Sequence, residues 1–296
     1  MKRYIPKGTI TAIVTPFKQD LSIDFDAFER LVNFQIENNV DGIVVCGSTG
    51  ESATLSHKER LALIIKAVEI SNGRVPIIAG TGTNDTKATI ELSLVAKEEG
   101  ADALLLVAPY YNKPTQLGIL QHYLTISEQV DIPQIIYNVP GRTGVNISAE
   151  TQIEIAKQCE NVVATKEASG NIEQIMQVIK HSPRNFVVLS GDDATTLPLI
   201  AAGAKGVVSV FSNYAPAQLV ELVQLALKGN FKAARNIHYK YLKLMNLSFI
   251  ESNPVPAKAI LSLMGLIEGH VRLPLVPLSK NSLVIIQKEL KKLNLI

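Results

Sequence analysis

Short apolar runs alternate with longer amphipathic segments along most of the chain. Each run holds four to six residues and is rich in Val, Ile, Leu or Ala, a composition that predicts strands buried on both faces of a parallel sheet. Eight such strands are expected, at Ile10–Val14, Gly42–Cys46, Pro76–Ala79, Ala103–Ala108, Gln134–Tyr137, Val162–Thr165, Phe186–Leu189 and Gly206–Val210.

The segments between these runs have the periodicity of amphipathic helices. In Phe25–Gln35 and Leu61–Val68, apolar residues recur three and four positions apart, so one face of each helix can pack on the sheet. Ser56, Asp85 and Ser148 precede three of the helical segments and are predicted to cap them. Strand and helix therefore alternate as βα units.

The number of units selects the architecture. From Gly8 to Gly206 the strand starts recur about every 28 residues, the length of one βα unit. Eight consecutive units predict an α/β fold, a (β/α)8 TIM barrel, because a doubly wound sheet usually has fewer strands and reverses its winding. Three further helical segments follow, at Phe231–Leu247, Ala257–Met264 and Ser279–Leu293. We expect a barrel domain over residues 1–229 and a C-terminal helical appendage over residues 230–296.

Composition and charge narrow the class of protein. The 296 residues include 29 Lys and Arg against 27 Asp and Glu, and these charges are scattered, so neither nucleic acid nor an anionic membrane is an expected partner. No run approaches the roughly 18 apolar residues of a membrane span, and no signal peptide is recognisable. Cys46 and Cys159 are distant in sequence and the histidines are dispersed, which predicts a cytoplasmic protein without a disulfide framework or a metal site.

Lys166 is the first candidate catalytic residue, because the chemistry of such barrels takes place at the C-terminal ends of the strands. It closes an apolar strand, and alternation would place it on one face with Val162 and Ala164. If that face lines the barrel, burial lowers the pKa of the amine and leaves a nucleophile for a carbonyl group. An ion pair with Glu167 or with a neighbour at the barrel rim is the alternative interpretation.

Tyrosine and arginine side chains follow neighbouring strands. Tyr137 is placed to transfer protons during imine formation, or to pack at the edge of the core. Arg142, in the loop after Tyr137, is suited to hold a carboxylate through two hydrogen bonds, or lies in solvent as most arginines do. Tyr110 and Tyr111, after the fourth strand, are more typical of a packing or subunit-contact turn and decide nothing alone.

The glycine-rich loop Gly47–Ser52 follows the second strand. Its glycines let the backbone approach an anion, and its hydroxyls and amides supply donors. The loop lacks the Gly-Lys-Ser/Thr end of a P-loop, and Glu51 would repel a phosphate, so a carboxylate is the better ligand. An ordinary glycine-rich turn is the alternative interpretation of this loop.

A barrel isomerase that handles phosphate is a further alternative. It would need a glycine-rich cradle after strands seven and eight, and Gly191-Asp192-Asp193 is too acidic for one. We interpret Asp192 and Asp193 as carboxylates that cap the following helix.

Taken together, these motifs are specific to one protein superfamily. In their order and spacing they resemble the dihydrodipicolinate synthase family, of the pyruvate-dependent class I aldolase superfamily that includes N-acetylneuraminate lyase. The resemblance spans essentially the whole chain and rests on Gly47-Ser48-Thr49-Gly50-Glu51, Tyr110-Tyr111-Asn112, Tyr137–Gly144, Lys166-Glu167-Ala168 and Glu251–Lys258. It implies a lyase of lysine and diaminopimelate biosynthesis that condenses pyruvate with L-aspartate β-semialdehyde, giving 4-hydroxy-tetrahydrodipicolinate.

The resemblance also implies the role of each site residue. Lys166 would form the Schiff base, while Tyr137, Ser48 and Tyr111 would relay protons, Tyr111 reaching in from a neighbouring subunit. The remaining site residues would bind substrate: Thr49 at the pyruvate carboxylate, Arg142 at the semialdehyde carboxylate, and Gly191 and Val208 through their backbone. No metal or organic cofactor is implied, because the lysine itself is the electron sink. A homo-oligomer is implied, most often a tetramer built as a dimer of dimers.

Two other interpretations stay open at this point. Ser48 stands where most synthases carry threonine and where N-acetylneuraminate lyase carries serine, although Arg142 and the Tyr110-Tyr111-Asn112 turn match the synthases. A catalytically silent barrel that senses a small oxo-acid is the alternative from another class. It has no need of a desolvated amine, Lys166, beside a proton carrier, Tyr137.

The family's lysine-effector site is only partly matched. His57 and Asn84 correspond to it, whereas Arg60 and Ala88 stand where a second histidine or similar group and a glutamate are expected. Alanine cannot pair with the ammonium group of an effector lysine, so we predict weak or absent inhibition by lysine.

Overall fold

The protein forms a closed barrel of eight parallel strands, and the structure, a computed structural model, describes residues 4–296. Each strand pairs with its neighbours in chain order, and the eighth pairs with the first. The predicted (β/α)8 TIM barrel is confirmed. The strands are β1 Gly8–Ala12, β2 Gly42–Val45, β3 Ile77–Gly80, β4 Ala103–Val107, β5 Gln134–Asn138, β6 Val162–Glu167, β7 Val187–Ser190 and β8 Gly206–Ser209.

Helices follow every strand, and three more complete the chain. The predicted caps are confirmed: the side chains of Ser56, Asp85 and Ser148 each accept a hydrogen bond from a backbone amide of the first turn. The helices around the barrel are α1 Phe25–Glu37, α2 His57–Ser71, α3 Thr86–Glu98, α4 Gln116–Gln129, α5 Pro140–Thr143, α6 Ala149–Gln158, α7 Ile172–His181, α8 Thr196–Ala202 and α9 Pro216–Leu227, and those after it are α10 Phe231–Leu247, α11 Val255–Leu263 and α12 Lys280–Lys292.

The core has two layers because the strands are buried on both faces. A large cluster fills the space between strands and helices and includes Phe28, Leu63 and Leu222. A smaller cluster fills the barrel itself, with Ile10 and Leu105 among its members. The barrel interior is therefore packed, which leaves its carboxyl end as the place for a site.

A β-bulge in β6 decides which residues face the barrel interior. The register with β5 shifts between Gln134 and Ile135, so that Val163 is the extra residue. Val163 and Ala164 both belong to the interior cluster, whereas Val162 packs in the outer layer. The expectation that Val162 shares a face with Ala164 is therefore wrong, because the bulge interrupts the alternation.

Glycines allow the barrel to close between β8 and β1. Gly206 and Gly8 are register partners, with φ values of +155° and +77°. A Cβ atom on Gly206 would overlap the backbone of Gly8. The closing contact therefore requires glycine on steric grounds.

The last three helices pack on one another and on the barrel. Helix α10 lies against α9, and α12 lies against α10 and α11. At the carboxyl end of the barrel, Lys258 of α11 reaches Glu51 in the loop after β2. Within residues 4–296, the helices are too short or too polar to cross a membrane.

Candidate active site

Lys166 and Tyr137 lie side by side near the carboxyl end of the barrel. They are register partners on β6 and β5, and Lys166 Nζ is 4.1 Å from the centroid of the Tyr137 ring. Only 5% of Lys166 is exposed. Burial lowers the pKa of its amine to about 7, against the opposing influence of Asp193. A substantial fraction of the amine is therefore uncharged and nucleophilic near neutral pH.

The alternative interpretation of Lys166, an ion pair with Glu167, is wrong. Glu167 turns to the opposite face of β6, where its carboxylate accepts hydrogen bonds from side-chain amides, among them that of Asn138. Within residues 4–296, Lys166 takes part in no ion pair. Its amine is therefore not held by a carboxylate at the rim.

The phenol of Tyr137 is buried beside the loop after β2. Burial raises its pKa, while the Arg142 guanidinium and a hydrogen bond with the Ser48 hydroxyl lower it in part. Ser48 begins a short 3₁₀ turn that ends at Gly50. The Ser48 hydroxyl therefore lies near the phenol of Tyr137, and the ring of Tyr137 borders the amine of Lys166.

The C-terminal region fixes the other residues of this loop. The buried Thr49 accepts a hydrogen bond from Asn253 Nδ2 at 2.9 Å. Glu51 adopts a left-handed φ of 54°, and its carboxylate pairs with Lys258 Nζ at 2.6 Å and accepts from the Arg272 amide at 3.1 Å. Lys258 neutralises this carboxylate. Contrary to the expectation from sequence, Glu51 is therefore not a charge that would repel a phosphate.

Arg142 lies at the mouth of the site, on the short helix α5. Its Nη2 donates to the Asn253 carbonyl at 3.4 Å, and much of the residue is exposed. It lines a cavity of about 320 Å³ together with Ser48 and Tyr110, and a second of about 220 Å³ together with Tyr137. An exposed guanidinium at this mouth has room to bind a carboxylate.

Gly191 lines the cavity that Tyr137 and Arg142 share, whereas Val208 is part of the barrel core. A Cβ atom on Gly191 would lie 2.7 Å from Ala168 Cβ and 2.9 Å from the Glu167 carbonyl, so only glycine allows the end of β7 to approach β6 this closely. Val208, on β8, belongs to the interior cluster and lines neither cavity at the mouth.

Tyr111 is the one predicted proton carrier that the structure does not bring to Lys166. It is 89% exposed, with a φ of 70° in the turn after β4. Its amide donates to the Thr143 carbonyl at 3.3 Å. A single chain thus gathers Ser48, Tyr137 and Lys166 at one end of the barrel and leaves the Tyr111 ring in solvent.

Asp193 does not have the helix-capping role predicted for it. Asp192 does accept hydrogen bonds from the amides of the following turn. Asp193 instead is buried, and its Oδ2 accepts from the Val210 and Phe211 amides after β8. Burial raises its pKa to about 6, and it is the charge that opposes the effect of burial on Lys166. Nothing in the local sequence distinguishes it from Asp192.

Asn253 is a second residue of the site that the sequence analysis did not assign. Its amide nitrogen donates to Thr49 and its carbonyl accepts from Arg142. It lies in Glu251–Lys258, a segment that carries the family resemblance, but no pattern in the sequence indicates that the C-terminal region reaches the barrel mouth. The two contacts appear only when residues 204 and 111 positions apart meet in the fold.

The residues matched to the effector site lie around a separate cavity of about 240 Å³ between α2 and α3. His57, Arg60 and Ala88 line it, and so does Glu91, one turn after Ala88. Asn84 is outside the lining, and its backbone carbonyl accepts from Nδ2 of the Asn112 side chain at 2.9 Å. Glu91 was not predicted from sequence, because the family pattern places the acid one turn earlier.

Comparison with known proteins shows the family of the chain. The model described as the dihydrodipicolinate synthetase family matches residues 5–293. The chain belongs to this family. The 4-hydroxy-tetrahydrodipicolinate synthase of Fervidobacterium nodosum is 48% identical over 289 residues, which cover 98% of this chain and 99% of that relative.

Solved structures of dihydrodipicolinate synthases share the whole fold. That from Thermotoga maritima superposes with a TM-score of 0.97 at 46% identity, covering 99% of this chain and 100% of its own. The chloride-inhibited dihydrodipicolinate synthase from Acinetobacter baumannii, solved in complex with pyruvate, has a TM-score of 0.96 at 43% identity. The match covers 98% of this chain and 99% of that one. The predicted family, its fold and its activity as a synthase of lysine biosynthesis are confirmed.

Proposed function

We propose that the chain condenses pyruvate with L-aspartate β-semialdehyde and gives 4-hydroxy-tetrahydrodipicolinate by way of an imine on Lys166. The observation that carries the proposal is the buried amine of Lys166, free of any ion pair in residues 4–296 and 4.1 Å from the ring centroid of Tyr137. A binding module has no need of such an amine beside a phenol.

In the first half of the reaction, the free amine of Lys166 attacks the ketone carbon of pyruvate. The hydroxyl of the addition product leaves as water, after protonation by the phenol of Tyr137, and a protonated imine forms. This positive imine nitrogen withdraws electrons, so a methyl proton of the bound pyruvate is lost and an enamine results. The lysine is therefore itself the electron sink, without a metal or an organic cofactor.

In the second half, the enamine carbon attacks the aldehyde of the semialdehyde and forms the new carbon–carbon bond. The amino group of this second substrate then displaces the Lys166 amine by transimination, which closes the ring and frees the enzyme. Tyr137 and Ser48 relay the protons that these steps require, since the Ser48 hydroxyl lies near the Tyr137 phenol and the Tyr137 ring borders the amine.

Substrate carboxylates have two places in this scheme. Ser48, Thr49 and the amides of their loop bind the carboxylate of pyruvate, and Gly191 and Val208 close the same pocket through their backbone. Arg142, exposed at the mouth, binds the carboxylate of the semialdehyde. Sugar-acid lyases have no second carboxylate to hold at that point, so Arg142 favours the semialdehyde as acceptor.

The exposed ring of Tyr111 supports an oligomer in which it enters the site of a neighbouring subunit. We propose at least a tight dimer, and a tetramer built from two such dimers. Sedimentation of the purified protein measures the assembly, and a monomer at assay concentration with full activity would contradict the role of Tyr111.

The proposal is tested by incubating the purified protein with pyruvate, reducing it with borohydride and measuring its intact mass. A stable pyruvyl adduct, with product formation on addition of the semialdehyde, is expected. An adduct without turnover would keep the Schiff base and exclude this acceptor. If no adduct forms, the silent barrel is the better interpretation.

The pH dependence of adduct formation follows from the lowered pKa of Lys166. Only the free amine attacks, so the rate at low pyruvate should fall about tenfold for each pH unit below about 7 and level off above it. Rates of adduct trapping between pH 5.5 and 9 measure this dependence. A rate that is still rising toward the ordinary lysine pKa, above 10, would mean that the amine is not desolvated.

Weak inhibition by lysine stays a prediction, now with a cause in the cavity between α2 and α3. The guanidinium of Arg60 lines that cavity beside the carboxylate of Glu91 and repels the ammonium group of a lysine, while Ala88 supplies none of the acid that the family pattern places one turn before Glu91. Initial rates at about 1 to 10 mM lysine should change by less than twofold. Ala88→Glu is the informative variant, because a gain of inhibition would show that the carboxylate at this position is the missing group. Strong inhibition of the wild type would contradict the prediction.

A further inference from the structure

A buried carboxylate lies directly behind the candidate nucleophile. Glu167 follows Lys166 on β6 and is 1% exposed. Four N–H groups donate to it: on Oε1, Asn138 Nδ2 at 2.8 Å, Gln152 Nε2 at 2.7 Å and Gln174 Nε2 at 3.1 Å, and on Oε2, the Ser169 amide at 3.1 Å. The carboxylate is therefore satisfied as an acceptor on both oxygens.

All four donors are neutral amides. In the part of the chain that the structure describes, no lysine, arginine or histidine forms an ion pair with Glu167. Burying a carboxylate is costly unless donors replace its water, and an apolar residue would fill the space at less cost. The carboxylate therefore needs an explanation beyond packing, and its partners supply one.

The partners of Glu167 tie together the elements that carry the reacting pair. Asn138 and Glu167 are register partners, as are Tyr137 and Lys166 one residue earlier. The bond between Asn138 and Glu167 thus spans β5 and β6 immediately beside the reacting pair, on the opposite face of the sheet. The other two side-chain donors come from α6 and α7, so one carboxylate joins two strands and two helices.

The bulge at Val163 shows why the connection of β5 to β6 through Glu167 matters for the position of Lys166. In the register before the bulge, Thr165 would stand opposite Tyr137; the extra residue moves Lys166 to that place. Register is specified by side-chain contacts, and a slip of one residue turns each side chain to the other face. The bond from Asn138 to Glu167 joins the two strands in the shifted register at the carboxyl end.

We propose that Glu167 is a positioning residue that keeps the Lys166 amine opposite the Tyr137 phenol for imine formation. The inference rests on the proposed function, since it concerns the imine on Lys166. It assigns to Glu167 neither proton transfer nor substrate contact, because the carboxylate lies on the helix side of β6.

The test measures the rate of the borohydride-trapped pyruvate adduct, per folded protein, across pyruvate concentrations. In Glu167→Gln an amide group meets the N–H donors around it, so the inter-strand bond is weakened and the rate at saturating pyruvate should fall about 10- to 100-fold. The pyruvate concentration that gives half of the maximal rate should stay within about twofold of the wild-type value, because the loop that binds the pyruvate carboxylate is untouched. Asn138→Ala removes the same bond from the other strand and should have the same effect.

The double variant Asn138→Asp with Glu167→Gln exchanges the donor and acceptor sides of the bond. It should recover at least about tenfold in rate over Glu167→Gln, a rescue that a merely structural role does not predict. Glu173→Gln, the same change on the exposed face of α7, is the control and should match the wild type.

The inference is overturned if Glu167→Gln and Asn138→Ala trap pyruvate at the wild-type rate per folded protein, or if the double variant is no faster than the single ones. A change in half-saturation alone would also overturn it, because that result would make Glu167 part of the binding site. Failure of the wild type itself to form an adduct is a different result, since it rejects the proposed function together with this inference.

Discussion

Lys166→Ala is expected to form no pyruvate adduct and to lose turnover by at least about 10³-fold, since removing a covalent nucleophile removes the whole route through the imine. The protein should still fold, because the side chain lost makes no ion pair in residues 4–296 and its removal relieves the burial of an amine. Intact mass after borohydride reduction and a steady-state assay at the same protein concentration measure both losses.

Two controls make this result specific. Lys166→Arg keeps a positive charge but provides no nucleophile at any accessible pH, so it should be as inactive as the alanine variant. Lys258 is the rival amine, because burial lowers its pKa to about 8. Its Nζ is paired with Glu51 and fully buried, so peptide mapping should find the adduct on Lys166 alone. An adduct on Lys258, or one that survives in Lys166→Ala, would refute the assignment.

Lys258→Met is expected to lower the free energy of unfolding by about 3 to 5 kcal/mol, because it leaves the Glu51 carboxylate buried without its partner. Both side chains of this pair are essentially inaccessible to solvent, 0% and 1% exposed. Glu51 also holds a left-handed backbone conformation, which is unfavourable for a non-glycine residue. Urea denaturation at pH 7 and fixed protein concentration measures the loss.

The same pair connects the appendage with the loop that contains Ser48 and Thr49, so the Lys258→Met protein that does fold should also bind pyruvate less tightly. The double variant Glu51→Gln with Lys258→Met should recover much of the stability, because no unpaired charge stays buried. Lys66→Met, in a partly exposed pair with Glu29, is the control and should cost less than about 1 kcal/mol. Equal losses in Lys258→Met and Lys66→Met would contradict the prediction.

Local pattern by itself determined the architecture of this protein. Apolar runs of strand length, spaced by amphipathic segments, identify eight βα units because burial on both faces and a helical repeat leave direct traces in the order of residues. Caps such as Ser56 are equally local, since the side chain bonds a backbone amide three residues away. The motifs around Lys166 and Tyr137 likewise identified the family, as they keep their order along the chain.

Only the tertiary structure decided how those residues are held. The bulge at Val163 depends on the register of two strands, and no alternation rule within one strand can place it. Asn253 and Lys258 reach the loop after β2 from about 200 residues away, and Asp193 is distinguished from Asp192 only by its contacts beyond β8. Such contacts, and the burial that shifts the pKa of Lys166, follow from which distant segments pack together, and that information is not contained in any local stretch of sequence.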